Sequence, residues 1–414
     1  MGIPTPFHNR TAAACHSMRW KEWAGYYSVE KYDTVHENEY FGFRHTAGLL
    51  DVSPLYKYDV TGAGALQLLD RVMARDVSRL KVGQVAYSCW CDEDGKVIDD
   101  GTLWRLGDEH YRITSANPCY RWLHENAFRL PATITDVSTD LAAVALQGPK
   151  SLDVLLACSN APLDRLKYFW LAEARLGAVE AVVTRTGYTG DLGYEIWVRP
   201  RDAEALWDTL MKAGAPHGIM PAGLNALDMT RIEAGFILID VDYTSSHHAL
   251  IEDQKSSPFE IGLGWTVHLD KAPFIGQAAL RREKARGSKW AFIGLEIDTP
   301  ELERYYDAVG LPPSLPTMAW RSVVPLYETL AGRHGRQVGR ATSGVWSPTL
   351  KKNLALATVE MPYAKVGTEL KIEEIVYYDR KYVTARVVDK PFFDPPRKKA
   401  LATRSAIAHG VAAR

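Results

Sequence analysis

The sequence contains no apolar run that approaches the ~20 residues of a membrane-spanning helix, and we therefore expect no transmembrane segment. Its N-terminus lacks the charged segment followed by an apolar one that is typical of a secretory signal. Basic residues are not in excess, because 49 Lys and Arg stand against 50 Asp and Glu, a net charge of −1. Since nucleic-acid binding requires a field of Lys and Arg, we expect a cytoplasmic protein without a nucleic-acid or membrane partner.

Cysteine is scarce and scattered. The chain has five cysteines, an odd number, which favours reduced thiols over a disulfide framework. Cys89 and Cys91 share a face of a predicted strand, but no second Cys or His pair accompanies them at the spacing of a zinc site. No metal site is therefore predicted.

The length of 414 residues exceeds that of one ordinary core, so two or three domains are expected. Strands and amphipathic helices mix up to about residue 260, and short strands at regular spacing then predict a β-rich or barrel-like domain. Gly62-x-Gly64 joins a strand to a helix, but position 67 is Gln, where a dinucleotide-binding motif has its third glycine. We interpret it as a plain strand-to-helix turn.

A glycine-rich segment, residues 185–197, predicts a strand, a loop and a second strand. Gly187, Gly190 and Gly193 allow positive φ and a close approach of the backbone. Glu195 lies in the returning strand, from which it can point at whatever the loop covers. The alternative is a surface hairpin with a solvated glutamate.

Asp99 and Asp100 are adjacent in a strand that follows a tight Asp-Gly turn at 92–96. Neighbouring residues of a strand point to opposite faces, so at most one of the two faces the packed side. A carboxylate among apolar strand residues is costly to bury unless it is paired, which makes one of them a candidate functional acid. The alternative is a bulge or strand-end aspartate.

A long polar stretch at residues 240–257 contains His247 and His248. Loops of this length are often functional, and the histidines could serve as ligands or as a general base. A solvated histidine pair is the alternative. Beyond Pro396 the chain is basic and rich in alanine, and we expect residues 397–414 to form a mobile tail.

A set of short motifs, in order from about residue 40 to about 393, makes the chain resemble the glycine cleavage T-protein family. The family comprises aminomethyltransferases that use tetrahydrofolate, and related tetrahydrofolate-dependent demethylases. Each motif alone is weak, whereas the ordered set is specific. The matching stretches are residues 48–53, 95–100, 146–150, 185–195, 221–224, 231–235, 258–263 and 342–350.

This resemblance implies an α+β fold, a three-domain cloverleaf around a central folate channel with a C-terminal β-barrel-like domain. The implied division is a discontinuous folate-binding first domain at 1–54 and 140–260, a second domain at 55–139, and the β-barrel-like domain at 261–396.

The resemblance also implies functional residues. Glu195 would accept the paired N–H groups of the pterin, which a carboxylate can bind bidentately. Asp100 would be the essential aspartate beside the folate nitrogens that receive the carbon, where it stabilises positive charge or handles a proton. The other residues expected to bind the folate are Tyr87, Tyr168, Tyr188 and Arg185.

Two departures from the family pattern concern the one-carbon donor. T-proteins usually have Gly-x-x-Ala-Arg-Asp where this chain has Leu227 in place of the arginine. The loop at 240–257 is also longer, and His247 or His248 is a hypothetical donor-side acid or base. We therefore expect a tetrahydrofolate-dependent demethylase acting on a small O-, N- or S-methylated substrate. The alternatives are aminomethyl transfer with a lipoyl carrier partner, and a non-catalytic folate-binding protein.

Overall fold

A computed structural model of the chain describes residues 2–401, and residues 402–414 of the expected tail lie outside the described range. None of the helices in this range is long and apolar enough to cross a bilayer. The α-helices are α1 (His8–Ala14), α2 (Glu37–His45), α3 (Ala65–Val72), α4 (Tyr120–Asn126), α5 (Ser151–Cys158), α6 (Ala203–Gly214), α7 (Leu224–Glu233), α8 (Gln277–Arg286) and α9 (Thr299–Asp307).

The β-strands form a two-stranded ribbon, two open sheets and a closed barrel. The strands are β1 (Arg19–Trp23), β2 (Tyr26–Lys31), β3 (Ala47–Asp51), β4 (Tyr56–Thr61), β5 (Val85–Cys91), β6 (Val97–Gly107), β7 (His110–Ser115), β8 (Thr133–Asp136), β9 (Ala142–Gln147), β10 (Leu171–Leu176), β11 (Val179–Thr184), β12 (Gly193–Val198), β13 (Ile219–Pro221), β14 (Trp290–Ile297), β15 (Val324–Leu330), β16 (Arg333–Ser347), β17 (Lys352–Glu360), β18 (Glu369–Val376) and β19 (Asp379–Val388).

The larger open sheet has six strands in the order β10-β11-β12-β9-β3-β13. Every residue of β9 is buried, because the sheet is covered on both faces. Val144 and Leu146 pack in one core with α5 and α6, whereas Ala143 and Ala145 face a second core that the other parts of the chain share. This alternation follows from the two-residue period of a strand.

The second open sheet has the order β5-β6-β7-β4-β8 and is formed entirely within residues 56–136. Helix α3 is amphipathic, and Leu68, Leu69 and Val72 pack with Val60 and Ile113 of this sheet. The six-stranded sheet, by contrast, joins β3 to strands that follow residue 140. We propose that the domain boundaries at 54–55 and 139–140 follow this separation.

The barrel has the order β14-β17-β16-β15-β18-β19, and pairing of β14 with β19 closes it. Closure leaves no unpaired strand edge. Small buried side chains such as Ala341, Ala355 and Ala385 fill its narrow interior. The expected C-terminal barrel within an α+β fold is therefore confirmed.

A buried ionic network connects α2, α7 and the barrel. Arg44 of α2 donates through Nε and Nη2 to Glu233 of α7, at 2.7 and 2.6 Å. The hydroxyls of Tyr40 and Ser347 donate to the other oxygen of Glu233. Removing one partner of such a network leaves an uncompensated buried charge. The network therefore fixes α7 against α2 and the barrel.

The start of the predicted mobile tail, residues 397–400, makes hydrogen bonds with the rest of the protein. Arg185 donates to the carbonyls of Arg397 and Lys398, at 3.1 and 3.3 Å, and Arg397 pairs with Asp191 at 2.6 Å. A buried guanidinium requires several acceptors. The segment supplies them, an interaction that composition alone does not reveal.

Candidate functional site

A cavity of about 440 Å³ lies against one face of the six-stranded sheet and is also lined by β5, β6, the β1–β2 ribbon and α7. Its floor crosses three strands, because Leu50 of β3 pairs with Ala145 of β9 and Ala145 pairs with Glu195 of β12. Val52 and Gln147 lie two residues further along their strands and therefore line the same face. The small side chain of Ala145 leaves room above the centre of the sheet.

Glu195 faces this cavity with one carboxylate oxygen engaged. Its Oε2 accepts a hydrogen bond from Thr186 Oγ1 at 2.8 Å, and the hydroxyl of Thr186 is 2.6 Å from that of Thr184. Its Oε1 has no hydrogen-bond partner between residues 2 and 401. Burial raises the pKa of Glu195, and hydrogen bonds from Thr186 and Thr184 oppose that shift. Oε1 is therefore an acceptor available to an N–H group of a ligand.

Gln147 holds the loop beside Glu195. Its Nε2 donates to the carbonyl of Thr186 at 3.2 Å, and its Oε1 accepts from Thr189 at 3.0 Å. A Cβ atom at Gly187 or Gly193 would lie 1.9 or 2.1 Å from Gln147 Oε1. A side chain at either glycine would therefore displace the amide of Gln147 from its hydrogen bonds to the loop.

Asp100 is the member of the acid pair that reaches the cavity. A β-bulge in the pairing of β5 with β6 lies directly before the pair. The two oxygens of Asp100 accept hydrogen bonds from the phenols of Tyr87 and Tyr243. Burial raises the pKa of Asp100, while the hydrogen bonds from Tyr243 and Tyr87 oppose that shift. Two phenols thus hold this carboxylate in one orientation, facing the cavity.

Asp99 points away from the cavity and binds the backbone. It accepts hydrogen bonds from the amides of Asp100 and Asn117, at 2.7 and 2.9 Å. Burial and then the charge of Asp100 raise the pKa of Asp99 well above its usual range. The residue after the pair must be glycine, because a Cβ at Gly101 would lie 1.9 Å from the carbonyl of Thr114. Asp99 therefore holds the strand in place while Asp100 faces the cavity.

Two of the three predicted tyrosines line the cavity. Tyr188 donates its hydroxyl to the backbone of the segment after α7. The ring of Tyr87 stacks on Trp265, with 6.1 Å between centroids. Tyr168 is outside the lining and packs edge-on against Phe169, which does line the cavity. The predicted folate contact of Tyr168 is corrected to support of a wall residue.

Arg185 is buried but does not line the cavity. Its Nη1 donates to the carbonyl of Leu166 at 3.0 Å, and its Nη2 donates to the C-terminal segment 397–400. The sequence prediction that Arg185 binds the folate is therefore corrected. Its side chain anchors residues 397–400 behind the glycine-rich loop.

His247 and His248 are exposed and are not among the residues that line the cavity. His247 packs edge-on against Trp122, and His248 Nδ1 lies 3.5 Å from a carboxylate oxygen of Asp240. The predicted donor-side role is corrected, because the loop directs the hydroxyl of Tyr243 to Asp100 and its histidines to the surface. Among residues 2–401, no group of three or more His, Cys, Asp or Glu side chains is arranged to hold a metal ion.

One face of α7 forms the wall opposite the sheet. Leu224, Leu227, Asp228 and Arg231 line the cavity, at the spacing of one helical face. Arg231 is fully engaged, donating through Nε to Asp228 at 2.7 Å and through its other nitrogens to neighbouring acceptors. Leu227 presents an apolar surface where T-proteins usually carry arginine.

Sequence reasoning missed several lining or contacting residues. Tyr243 lies in the loop at residues 240–257, but the functional role was assigned to the two histidines of that loop. Gln147 belongs to a matched motif, although no role was assigned to it. Lys21 and Arg321 carried no local signal, because only tertiary packing brings the β1–β2 ribbon and the segment before β15 to the cavity.

Comparisons with known proteins agree with this arrangement. Residues 6–271 match the model of the GCVT N-terminal domain, and residues 317–394 match the glycine cleavage T-protein C-terminal barrel domain. The chain is 33% identical to an aminomethyltransferase of Halothermothrix orenii, over 90% of this chain and 95% of that protein. It is 34% identical to a trimethylamine-oxide aldolase of Ruegeria pomeroyi, over 95% of this chain but 47% of that protein.

A solved structure supports the fold. The crystal structure of glycine cleavage system aminomethyltransferase T from Bartonella henselae superposes with a TM-score of 0.79 at 24% identity, covering 95% of this chain and 99% of that one. The domain matches, the relatives and the shared fold agree across nearly the whole chain. The chain therefore belongs to the glycine cleavage T-protein family, an enzyme family of transferases that use tetrahydrofolate.

Proposed function

We propose that the protein transfers a methyl group from a small O-, N- or S-methylated donor to tetrahydrofolate. The observation that carries this proposal is Leu227 in the cavity wall, at the position where T-proteins usually have an arginine. Leu224 and Ile239 line the cavity with it and make this part of the wall apolar. An apolar wall favours a methyl-bearing donor, because contact with a methyl group needs no polar partner.

The residues on the sheet side suit the pterin of tetrahydrofolate. Glu195 has an open carboxylate oxygen toward the cavity and can accept N–H donors with charge-assisted hydrogen bonds. Leu50 and Val52 lie on the same face and can pack against the flat ring system. Tyr87 and Tyr188 add aromatic surface on either side of Asp100.

Tetrahydrofolate, when bound, supplies the nitrogen that accepts the carbon. The transferred carbon exchanges its bond to the donor heteroatom for a bond to that nitrogen. The donor heteroatom keeps the bonding electron pair, and the proton of the nitrogen passes to Asp100. As an ionised carboxylate, Asp100 also stabilises the positive charge that develops around the carbon during transfer. Tyr87 and Tyr243 keep it oriented for both tasks.

A second candidate is the transfer of an aminomethyl group from a lipoyl carrier protein. The observation in its favour is that relatives at 31 to 34% identity, matched over most of their length, are named aminomethyltransferase. The relative named trimethylamine-oxide aldolase supports the first candidate instead, since its name refers to a methylated amine. A donor assay separates the two candidates.

The folate assignment is tested by Glu195→Gln with Glu180→Gln as the control. Glu180 lies on β11 and is exposed, so its loss of charge does not affect the cavity. We expect Glu195→Gln to weaken tetrahydrofolate binding by about 10- to 150-fold, because a hydrogen bond to a charged group contributes roughly 1.5–3 kcal/mol. Isothermal titration measures this, and unchanged affinity would contradict the assignment.

The donor assignment is tested with tetrahydrofolate and a panel of methylated amines, sulfonium compounds and methyl ethers. Mass spectrometry of the folate product distinguishes methyl-folate from methylene-folate. Methyl-folate from a small donor supports the proposal. Methylene-folate formed only with glycine cleavage partners and a lipoyl carrier supports aminomethyl transfer. Tetrahydrofolate binding without any product in either assay would favour a non-catalytic folate-binding protein.

A further inference from the structure

Two cationic side chains in the cavity wall have incomplete sets of partners. Lys21 of β1 lines the cavity, and its ammonium group makes no hydrogen bond or ion pair with a residue between 2 and 401. Arg321 lines it as well, and only its Nε is engaged, at 2.8 Å from Asp228. The side chain of Arg321 is 35% exposed, and its two terminal nitrogens remain available. These are the only cavity-lining cations besides the fully bonded Arg231 within the described residues.

Arg321 is held at the cavity by the barrel. The preceding residue, Trp320, exchanges backbone hydrogen bonds with Gly344 of β16, at 2.8 and 3.1 Å. A Cβ at Gly344 would lie 2.2 Å from the ring of Trp320, so glycine is required for this packing. Asp228 then fixes the guanidinium from the side of α7. The barrel thus holds the backbone next to Arg321, and Asp228 holds its guanidinium group.

Two cations, Lys21 and Arg321, lie at this wall beside one shared carboxylate. Arg231 pairs with both Asp228 and Asp242, whereas Arg321 pairs, among residues 2–401, with Asp228 alone. Although burial opposes it, the charges of Arg231 and Arg321 hold the pKa of Asp228 below its usual value. Burial first, and then the charge of Arg321, lower the pKa of Lys21, while the charge of Asp228 opposes that shift. Lys21 and Arg321 therefore repel each other, and a further carboxylate beside both would reduce that repulsion.

The nearby acids on the β1–β2 ribbon do not complete this balance. Glu22 also lines the cavity, and its Oε1 accepts from the amide of Gly25 at 3.0 Å. Glu30 is paired with Arg19 at 3.3 Å. The first turn of α7 begins beside Leu224 at the same wall, and the positive end of its dipole adds to the field.

We propose that Lys21 and Arg321 form a carboxylate-binding subsite in this cavity. An arginine with two free terminal nitrogens matches the planar geometry of a carboxylate, and a lysine beside it adds a point charge. The carboxylate belongs either to the one-carbon donor or to the glutamate moiety of tetrahydrofolate. The subsite deepens the proposed function and rests on it, since these are the ligands of the proposed reaction.

The test compares matched ligands with and without a carboxylate. Titration calorimetry measures tetrahydrofolate against tetrahydropteroate, and N,N-dimethylglycine against N,N-dimethylethanolamine. The variants are Lys21→Gln and Arg321→Gln. Arg282→Gln and Lys284→Gln on the exposed surface of α8 serve as controls, because neither residue lines the cavity.

In the wild type, we expect the carboxylate-bearing member of at least one pair to bind about 10- to 150-fold more tightly, the range for a hydrogen bond to a charged group. Lys21→Gln and Arg321→Gln should remove most of that preference, and the α8 controls should retain it. If the variants lose the preference for tetrahydrofolate over tetrahydropteroate, the carboxylate is that of the folate glutamate. If they lose the preference for N,N-dimethylglycine over N,N-dimethylethanolamine, the carboxylate is that of the donor. The proposal is overturned if the wild type prefers neither acid, or if the preference survives in both variants.

The readouts keep this proposal separate from the proposed function. A protein that forms no methyl-folate but has an Arg321-dependent preference for a carboxylate contradicts only the methyl transfer. A protein that forms methyl-folate while its variants bind every ligand like the wild type contradicts only the subsite.

Discussion

The phenol of Tyr243 provides the sharpest test of how Asp100 is held. Tyr243→Phe removes one of the two hydroxyl groups that donate to this carboxylate and leaves Tyr87 in place. A hydrogen bond to a charged group contributes about 1.5–3 kcal/mol, which corresponds to about 10- to 150-fold in rate if the ionised form acts in the transition state. We therefore expect kcat/KM for folate methylation to fall within that range at neutral pH.

The pH profile checks the direction of the effect. Burial already raises the pKa of Asp100, and the hydrogen bond from Tyr243 lowers it. Loss of that bond raises the pKa further, so more protonated Asp100 is present at a given pH. Activity that needs the ionised carboxylate rises with pH through this pKa, and its acid limb should therefore move to higher pH in Tyr243→Phe.

Tyr111→Phe is the matched control for Tyr243→Phe. The hydroxyl of Tyr111 is buried without a hydrogen-bond partner among the described residues, in the same five-stranded sheet. Its removal should change neither kcat/KM nor the pH profile. If Tyr243→Phe also leaves both unchanged, or moves the acid limb to lower pH, then Tyr243 does not stabilise ionised Asp100 and the reasoning fails.

Three further predictions concern residues that the structure reassigned or explained. Arg185→Gln should lower the free energy of unfolding by about 2–4 kcal/mol, seen in denaturant titration, because buried carbonyls lose a charged donor; unchanged tetrahydrofolate affinity of the folded variant confirms that Arg185 is structural. His247→Ala and His248→Ala should keep kcat/KM within about twofold, as exposed substitutions usually do, and a large loss would return them to the donor side. Gly187→Ala should weaken tetrahydrofolate binding, because its Cβ would collide with Gln147, whereas Gly107→Ala, whose Cβ would meet only His110 at an ordinary contact distance of 3.6 Å, should bind normally.

Much of the fold was predictable because its signals are local. Regular short strands after residue 261 predicted the C-terminal barrel, and the glycine-rich segment at 185–197 predicted a loop that leads into a strand. The ordered motifs extended these local signals to the architecture of the family. The contacts of residues 397–400 were not predictable, because a basic, alanine-rich composition carries no information about a buried arginine that binds their carbonyls.

Residues of the site were predictable where a single strand or loop contains the signal for them. Glu195 and Asp100 were singled out from their own segments, and the structure brings both to one cavity; their functions remain proposals. Arg185 belongs to the same motif as Glu195, yet its side chain points to the opposite side of the sheet. A motif identifies a segment, but the direction of each side chain depends on strand register and on what packs above it.

The sequence by itself determined the family, the mixed helix and sheet architecture and the acids that face the cavity, because those features depend on residue order and on local periodicity. Only the tertiary structure decided which side chains complete the site. Tyr243, Lys21 and Arg321 come from a long loop, an N-terminal ribbon and the edge of the barrel, and no pattern in the chain relates them. Packing of these distant segments around Asp100 and Asp228 joins them, because a buried carboxylate is stable only where the fold supplies donors.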